Sequence, residues 1–152
     1  YCLISFLILP YFYEVLIMIS TTQLITLLKQ NTPLENILEV IPDLDFVSYL
    51  EACLEKKGLK KSEVIAQTNM QKNYAYQICN GTKKGSKDKI IQLALAMHLD
   101  LHDTNNLLSL SNNGLLYAKV KKDAILIYAL QHHYNLFKTN ELLIAQGFDA
   151  LD

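Results

Sequence analysis

The side chains of this chain that can act on another molecule are lysines gathered in its middle. Residues 45–98 hold nine Lys against five acids, a net +4. Residues 1–44 hold one Lys against four acids, and residues 99–152 hold four Lys against six, so the net charge of −1 hides a positive segment. Contact with an anionic partner, nucleic acid above all, needs a field of that sign, although lysines also decorate any solvated helix face. All fourteen basic residues are Lys. Lysine neutralises phosphates well, but the bidentate guanidinium–guanine contact is closed to a chain without Arg.

Other chemistry is thinly represented. Cys2, Cys53 and Cys79 have no metal-type spacing, and an odd count argues against a disulfide framework. Cys53 and Cys79 fall at apolar helix positions, where they act as small core hydrophobes, and a reducing cytoplasm suits them. His98 and His102 are four residues apart, but Leu99-Asp100-Leu101 reads as a helix end. His98 and His133 more simply close equivalent helix C-termini, where a cation is favoured, so no metal and no cofactor is expected. There is no Gly-rich phosphate loop, no Ser nucleophile elbow and no Cys with a His partner, and the expectation is a chain that is not an enzyme.

The elements that must carry the lysines read as helices. Apolar residues make up 51% and charged residues 19%, with only three Pro and five Gly, and alternating strand patterns are missing. An all-α fold is predicted. Thr21 or Thr22 can cap a short helix bearing Leu24, Ile25, Leu27 and Leu28; a second short helix covers roughly Leu34 to Val40. Asp45 opens a stronger one whose Phe46, Leu50, Cys53 and Leu54 form one stripe, and Gly58 stops it. The next stretch, LKKSEVIAQTNMQKNYAYQICNGTKKGS (59–86), reads as a helix Lys61–Thr68, a turn at Asn69-Met70, and a second helix Lys72–Cys79 ended by Asn80-Gly81. Asn69 is expected to take the left-handed conformation and Met70 to plug the angle. Ser86 then caps an apolar helix from Lys87 to His98. Two short helices at a tight turn form the helix-turn-helix pattern, which puts one helix into the major groove of DNA.

The carrying residues Leu59, Val64, Asn69-Met70, Ile78, Gly81 and Ser86, followed by IIQLALAMHL, resemble the Cro and phage-repressor (XRE-like) family of helix-turn-helix domains over about residues 45–100. A bacterial subgroup of short regulators with a helical C-terminal extension is similar as far as Leu151. The resemblance implies a lambda-repressor-like helix-turn-helix bundle with an additional C-terminal helical hairpin. It also implies a sequence-specific DNA-binding transcriptional regulator with helix Lys72–Cys79 in the major groove. On it, Gln71, Lys72, Asn73 and Gln77 meet base edges, and Lys61, Thr82, Lys83 and Lys84 meet phosphates. Asn and Gln can bond adenine at two atoms and Lys can reach guanine, each good contact giving about 1–3 kcal/mol of discrimination. The chain departs from the pattern at Ile65 (usually Ala), Asn69 (usually Gly), Gly85 (usually Pro) and Lys60 (often Ser or Thr). Tyr74 and Tyr76 put two rings on the reading helix. Tyr76 can stack on sugars or reach a phosphate, or the two rings can form a docking face for a protein. The partners expected are therefore double-stranded DNA and a second copy of the chain in a homodimer. The alternative is a non-catalytic protein-interaction module using Tyr74, Tyr76 or the C-terminal hairpin.

Behind this motif the sequence repeats at a spacing of 35 residues: DKIIQLALAMHLDLHDTNNLL (88–108) aligns with DAILIYALQHHYNLFKTNELL (123–143), identical at ten of 21 positions. Each unit reads as a long helix and a shorter one starting near Thr104 or Thr139, ending at Gly114 or Gly147. The organisation expected is an apolar leader (1–17), a short helical segment (18–44), a helix-turn-helix domain (45–115) and a hairpin (116–152) repeating 88–114. Residues 1–17 lack the positive start and cleavage site of a signal peptide, and Pro10 and Glu14 interrupt a membrane span, a truncated span being the alternative. The composition change at Met18 favours a true start there, with no membrane and a cytoplasmic location expected.

Overall fold

The structure, a computed structural model, describes residues 20–152; the expectations about residues 1–17 and a start at Met18 lie outside that range. Among the described residues there are nine α-helices and no strand. The chain divides into two compact units between Asp43 and Leu44.

The first unit contains α1 (Thr21–Lys29) and α2 (Leu34–Val40). Ser20, rather than Thr21 or Thr22, caps α1. Its hydroxyl accepts the Gln23 N–H at 3.2 Å and the Gln23 side chain accepts the Ser20 N–H at 3.0 Å. That reciprocity needs an acceptor side chain three residues on, and Leu24 or Ile25 cannot return it to Thr21 or Thr22. Ile37 is the buried residue of this pair.

The second unit begins with α3 (Phe46–Lys57), where Ser48 donates its N–H to the Asp45 carboxylate at 2.7 Å and Gly58 closes the far end at φ 64°. Then come α4 (Lys61–Ala66), α5 (Lys72–Cys79), α6 (Lys87–Ala96), α7 (Leu101–Leu110), α8 (Lys121–Gln131) and α9 (Leu136–Ala145). Helix α4 stops two residues short of the expected Thr68, whose hydroxyl donates to the Ile65 carbonyl at 2.8 Å and takes the place of a helical N–H. The core is centred on α6: every residue from Ile90 to Met97 is 5% exposed or less. A helix apolar all round belongs in the middle, and each fully buried Ile, Leu or Met there contributes about 1.5–3 kcal/mol.

The 35-residue repeat folds as two equivalent hairpins, α6–α7 and α8–α9. Their first helices end two residues before His98 and His133, both held at φ 53°. The following residue closes each cap, Leu99 N–H on the Ala94 carbonyl and Tyr134 N–H on the Ala129 carbonyl. Asp100 and Asn135 then cap the second helices, accepting from Asp103 and Lys138 N–H. The matching Thr104 and Thr139 are completely buried and donate to the cap carbonyls at 2.7 and 2.8 Å. The matching Asn105 and Asn140 accept the N–H of Leu116 and Leu151 at 2.8 and 2.9 Å, so the equivalence reaches 116 and 151. The left-handed residue that ends α7 is Asn112, the counterpart of Gly147; Gly114, the expected stop, lies two residues later. Asn tolerates this conformation, so the glycine signal misplaced the stop.

Contacts between the hairpins come in exchanged pairs. Helix α6 packs on α8 and α9, and α7 packs on α8. Lys87 pairs with Asp123 at 3.1 Å while their counterparts Lys122 and Asp88 approach to 3.8 Å. The His98 and His133 rings meet edge to face with centroids 6.2 Å apart. Such reciprocity describes an approximate two-fold arrangement. Helix α3 covers α7, with the Tyr49 hydroxyl donating to Asp103 at 2.7 Å and accepting from Asn106 at 2.9 Å.

Candidate nucleic-acid interface

Helix α5 buries one side and shows the other. Ala75, Ile78 and Cys79 are at most 1% exposed. The opposite stripe holds Lys72, Asn73, Tyr76, Gln77 and Asn80, which helical spacing places together. Lys72, Asn73 and Asn80 are exposed, Tyr76 and Gln77 half-buried, and Gln71 stands exposed just before the helix. The first turn has no capping side chain and no acid. Its unpaired amides and the Lys72 ammonium therefore make a positive end, a costly arrangement for an isolated helix and a favourable one beside an anion.

Both ends of α5 are held from elsewhere. At the C-terminal end Lys61 donates to the Asn80 side chain at 3.1 Å and pairs with Glu51 at 3.5 Å, joining α3, α4 and α5. Gly81, at φ 79°, brings the chain so close to α3 that an added Cβ would lie 2.8 Å from Val47 Cγ2. The loop then turns back, Lys83 N–H donating to the Gln77 carbonyl at 3.1 Å. This leaves Thr82, Lys83 and Lys84 exposed beside the stripe, with the Lys83 ammonium 5.6 Å from the centre of the Tyr74 ring.

At the N-terminal end Met70 is 8% exposed and belongs to the core. Asn69, expected in the left-handed region, is not there. Its N–H instead donates to the side-chain oxygen of Gln92 on α6, at 3.0 Å. A hydrogen bond from the core shapes this turn, so the special backbone conformation is not needed.

The expected residues thus form three groups. Lys72, Asn73, Tyr76 and Gln77 share one face, with Gln71 at its edge. Thr82, Lys83 and Lys84 form the adjoining loop. Lys61, on α4, touches the stripe through Asn80 and pairs on its other side with Glu51. Sequence reasoning passed over Asn80 and Gln92. Asn80 was detectable, standing seven residues after Asn73 on the same face. Gln92 was detectable as the polar residue inside the run Ile90-Ile91-Gln92-Leu93.

Two cysteines and a tyrosine away from this face are buried or half-buried. Burial pushes the Cys53 thiol up to about 12 and raises Cys79 as well, and it raises the Tyr49 hydroxyl. Among the described residues no three His, Cys, Asp or Glu side chains are placed to hold a metal ion. No described helix is long and apolar enough to cross a membrane. Comparison with protein-family models, with curated proteins and with solved structures found no match to this chain.

Proposed function

We propose that the chain is a sequence-specific DNA-binding transcriptional regulator of the lambda-repressor-like kind, laying α5 in the major groove with α4 and the turn as its support. The observation that carries this reading is the stripe of Lys72 and Asn73, exposed, with Tyr76 and Gln77, half-buried, flanked by the Lys83–Lys84 loop. Amides one helical turn apart can address two base pairs, and lysines beside them can neutralise the flanking phosphates. Cro-like repressors are the family whose pattern this face resembles. The protein acts without catalysis, in the cytoplasm, as a homodimer that reads two half-sites about one helical turn apart.

The competing reading makes Tyr74 and Tyr76 a docking face for a protein partner. Both rings are half-buried against the core and Tyr74 is faced by Lys83, which favours the DNA reading. Gel-shift titration against genomic fragments separates the two. The proposal expects a shifted complex whose affinity falls with salt at a log–log slope of about −0.9 per neutralised phosphate. No shift with any fragment at low salt would remove it.

A further inference from the structure

Gln92 lies in the middle of the most buried helix and is itself completely buried. Its oxygen accepts the Asn69 N–H at 3.0 Å, but its Nε2 has no partner. That nitrogen is the one buried side-chain polar atom left unpaired among the described residues. A buried donor without an acceptor destabilises a core, and an apolar side chain of the same length would not carry that cost.

The bond that comes with this cost is directed at the turn before α5. The other side-chain bonds in that turn are local: Thr68 donates to Ile65, and the Met70 N–H donates to Thr68 at 3.4 Å. Helix α5 has no side-chain cap of its own at that end. Asn69 is an exposed residue, and its bond to Gln92 is part-buried. The repeat supplies an internal comparison. The 35-residue counterpart of Gln92 is Ile127, on the hairpin that has no such turn to hold.

We infer that Gln92 is a positioning residue for the α5 face: its amide, carried into the core on α6, fixes the turn between α4 and α5 and so the pitch at which Asn73 and Gln77 are presented. This inference rests on the DNA reading of that face.

The test uses the full chain carrying Gln92→Met, with Gln92→Ile, the counterpart residue, as a second variant in case one packs badly. Thermal unfolding is expected at an unchanged or higher temperature, because an unpaired donor has gone. Amide exchange at Asn69 and at Ala75, whose N–H makes the first backbone bond of α5, is expected to quicken by about tenfold in the free protein. The ratio of binding to the selected fragment over random DNA is expected to fall about tenfold or more, the loss of one base contact, with the salt slope unchanged. Unchanged exchange at these amides, or an unchanged ratio, overturns the inference. So does a lowered melting temperature in both variants, which would make Gln92 an ordinary stabiliser. If the unsubstituted protein binds no fragment, the DNA reading fails alone. The exchange measurement on the free protein then still decides whether Gln92 holds the turn.

Discussion

Replacing Gly81 with Ala strains the corner that delivers the lysine loop, and the cost can be divided into two parts. The first is backbone: at φ 79° an L side chain meets its own carbonyl, costing about 1–2 kcal/mol. The second is contact, since the new methyl would lie 2.8 Å from Val47 Cγ2. Forcing a group into filled space costs about 1–3 kcal/mol, and half-buried Val47 can yield in part, which puts the total at about 2–3 kcal/mol. Gly58 supplies the control. It stands at φ 64° with nothing within 4 Å of an added Cβ, so Gly58→Ala incurs only the backbone part. For a unit of this size each kcal/mol lowers the melting temperature by about 4 °C. Calorimetry of the two variants is therefore expected to show Gly81→Ala melting at least about 4 °C below Gly58→Ala. In a Val47→Ala background the two glycine substitutions should cost the same. Equal costs with Val47 in place, or no relief when it is trimmed, would refute the geometry.

Further outcomes follow from other contacts. Lys87→Met leaves the Asp123 carboxylate, 10% exposed, with the Tyr117 N–H as its remaining partner. Breaking a fully buried pair costs about 3–5 kcal/mol; because Lys87 is 35% exposed, chemical denaturation should show about 2 kcal/mol, partly recovered on adding Asp123→Asn. Asn105→Ala and Asn140→Ala should each cost about 1–2 kcal/mol, with faster amide exchange at Leu116 in the first and Leu151 in the second. The Ser48 N–H and hydroxyl hold the Asp45 carboxyl below its ordinary value of 3.8. A depressed folded pKa contributes stability that is complete above the ordinary value and is lost as the pH falls through the lowered one. Denaturation of Asp45→Asn measured from pH 5 down to about pH 2 should lose that part of the pH dependence while keeping a cap.

What was legible in the sequence was local. Both ends of α3 and the start of α6 followed from apolar spacing with their caps, because Asp45, Gly58 and Ser86 act within a turn of where they stand, and the bounds of α5 followed from apolar spacing and the Asn80-Gly81 stop. The 35-residue repeat showed the hairpin pairing, since Thr104/Thr139 and Asn105/Asn140 recur for hydrogen bonds that recur. The misreadings share a cause in distance along the chain. Asn69 was expected to shape its turn by its own backbone, but the partner that does so is 23 residues away on α6. Lys61, expected at a phosphate, also has contacts that no local pattern shows, since Glu51 and Asn80 converge on it from neighbouring elements. Gly114 carried the stronger local signal and is itself at φ 74°, yet the left-handed residue that closes α7 is Asn112, two positions earlier. The stripe on α5 was legible because helical periodicity alone sets it, whereas what holds each end of α5 was not.

The central claim is that the α5 stripe reads base sequence. The direct measurement is selection of fragments from total genomic DNA on the purified chain, followed by competition between the selected fragment and random DNA of equal composition. The account predicts one enriched sequence bound about 10³-fold or more over random DNA, with Asn73→Ala and Gln77→Ala reducing that ratio and Lys83→Ala, Lys84→Ala weakening both kinds of binding alike. No enriched sequence, or an enriched sequence whose preference survives both amide substitutions, would contradict it.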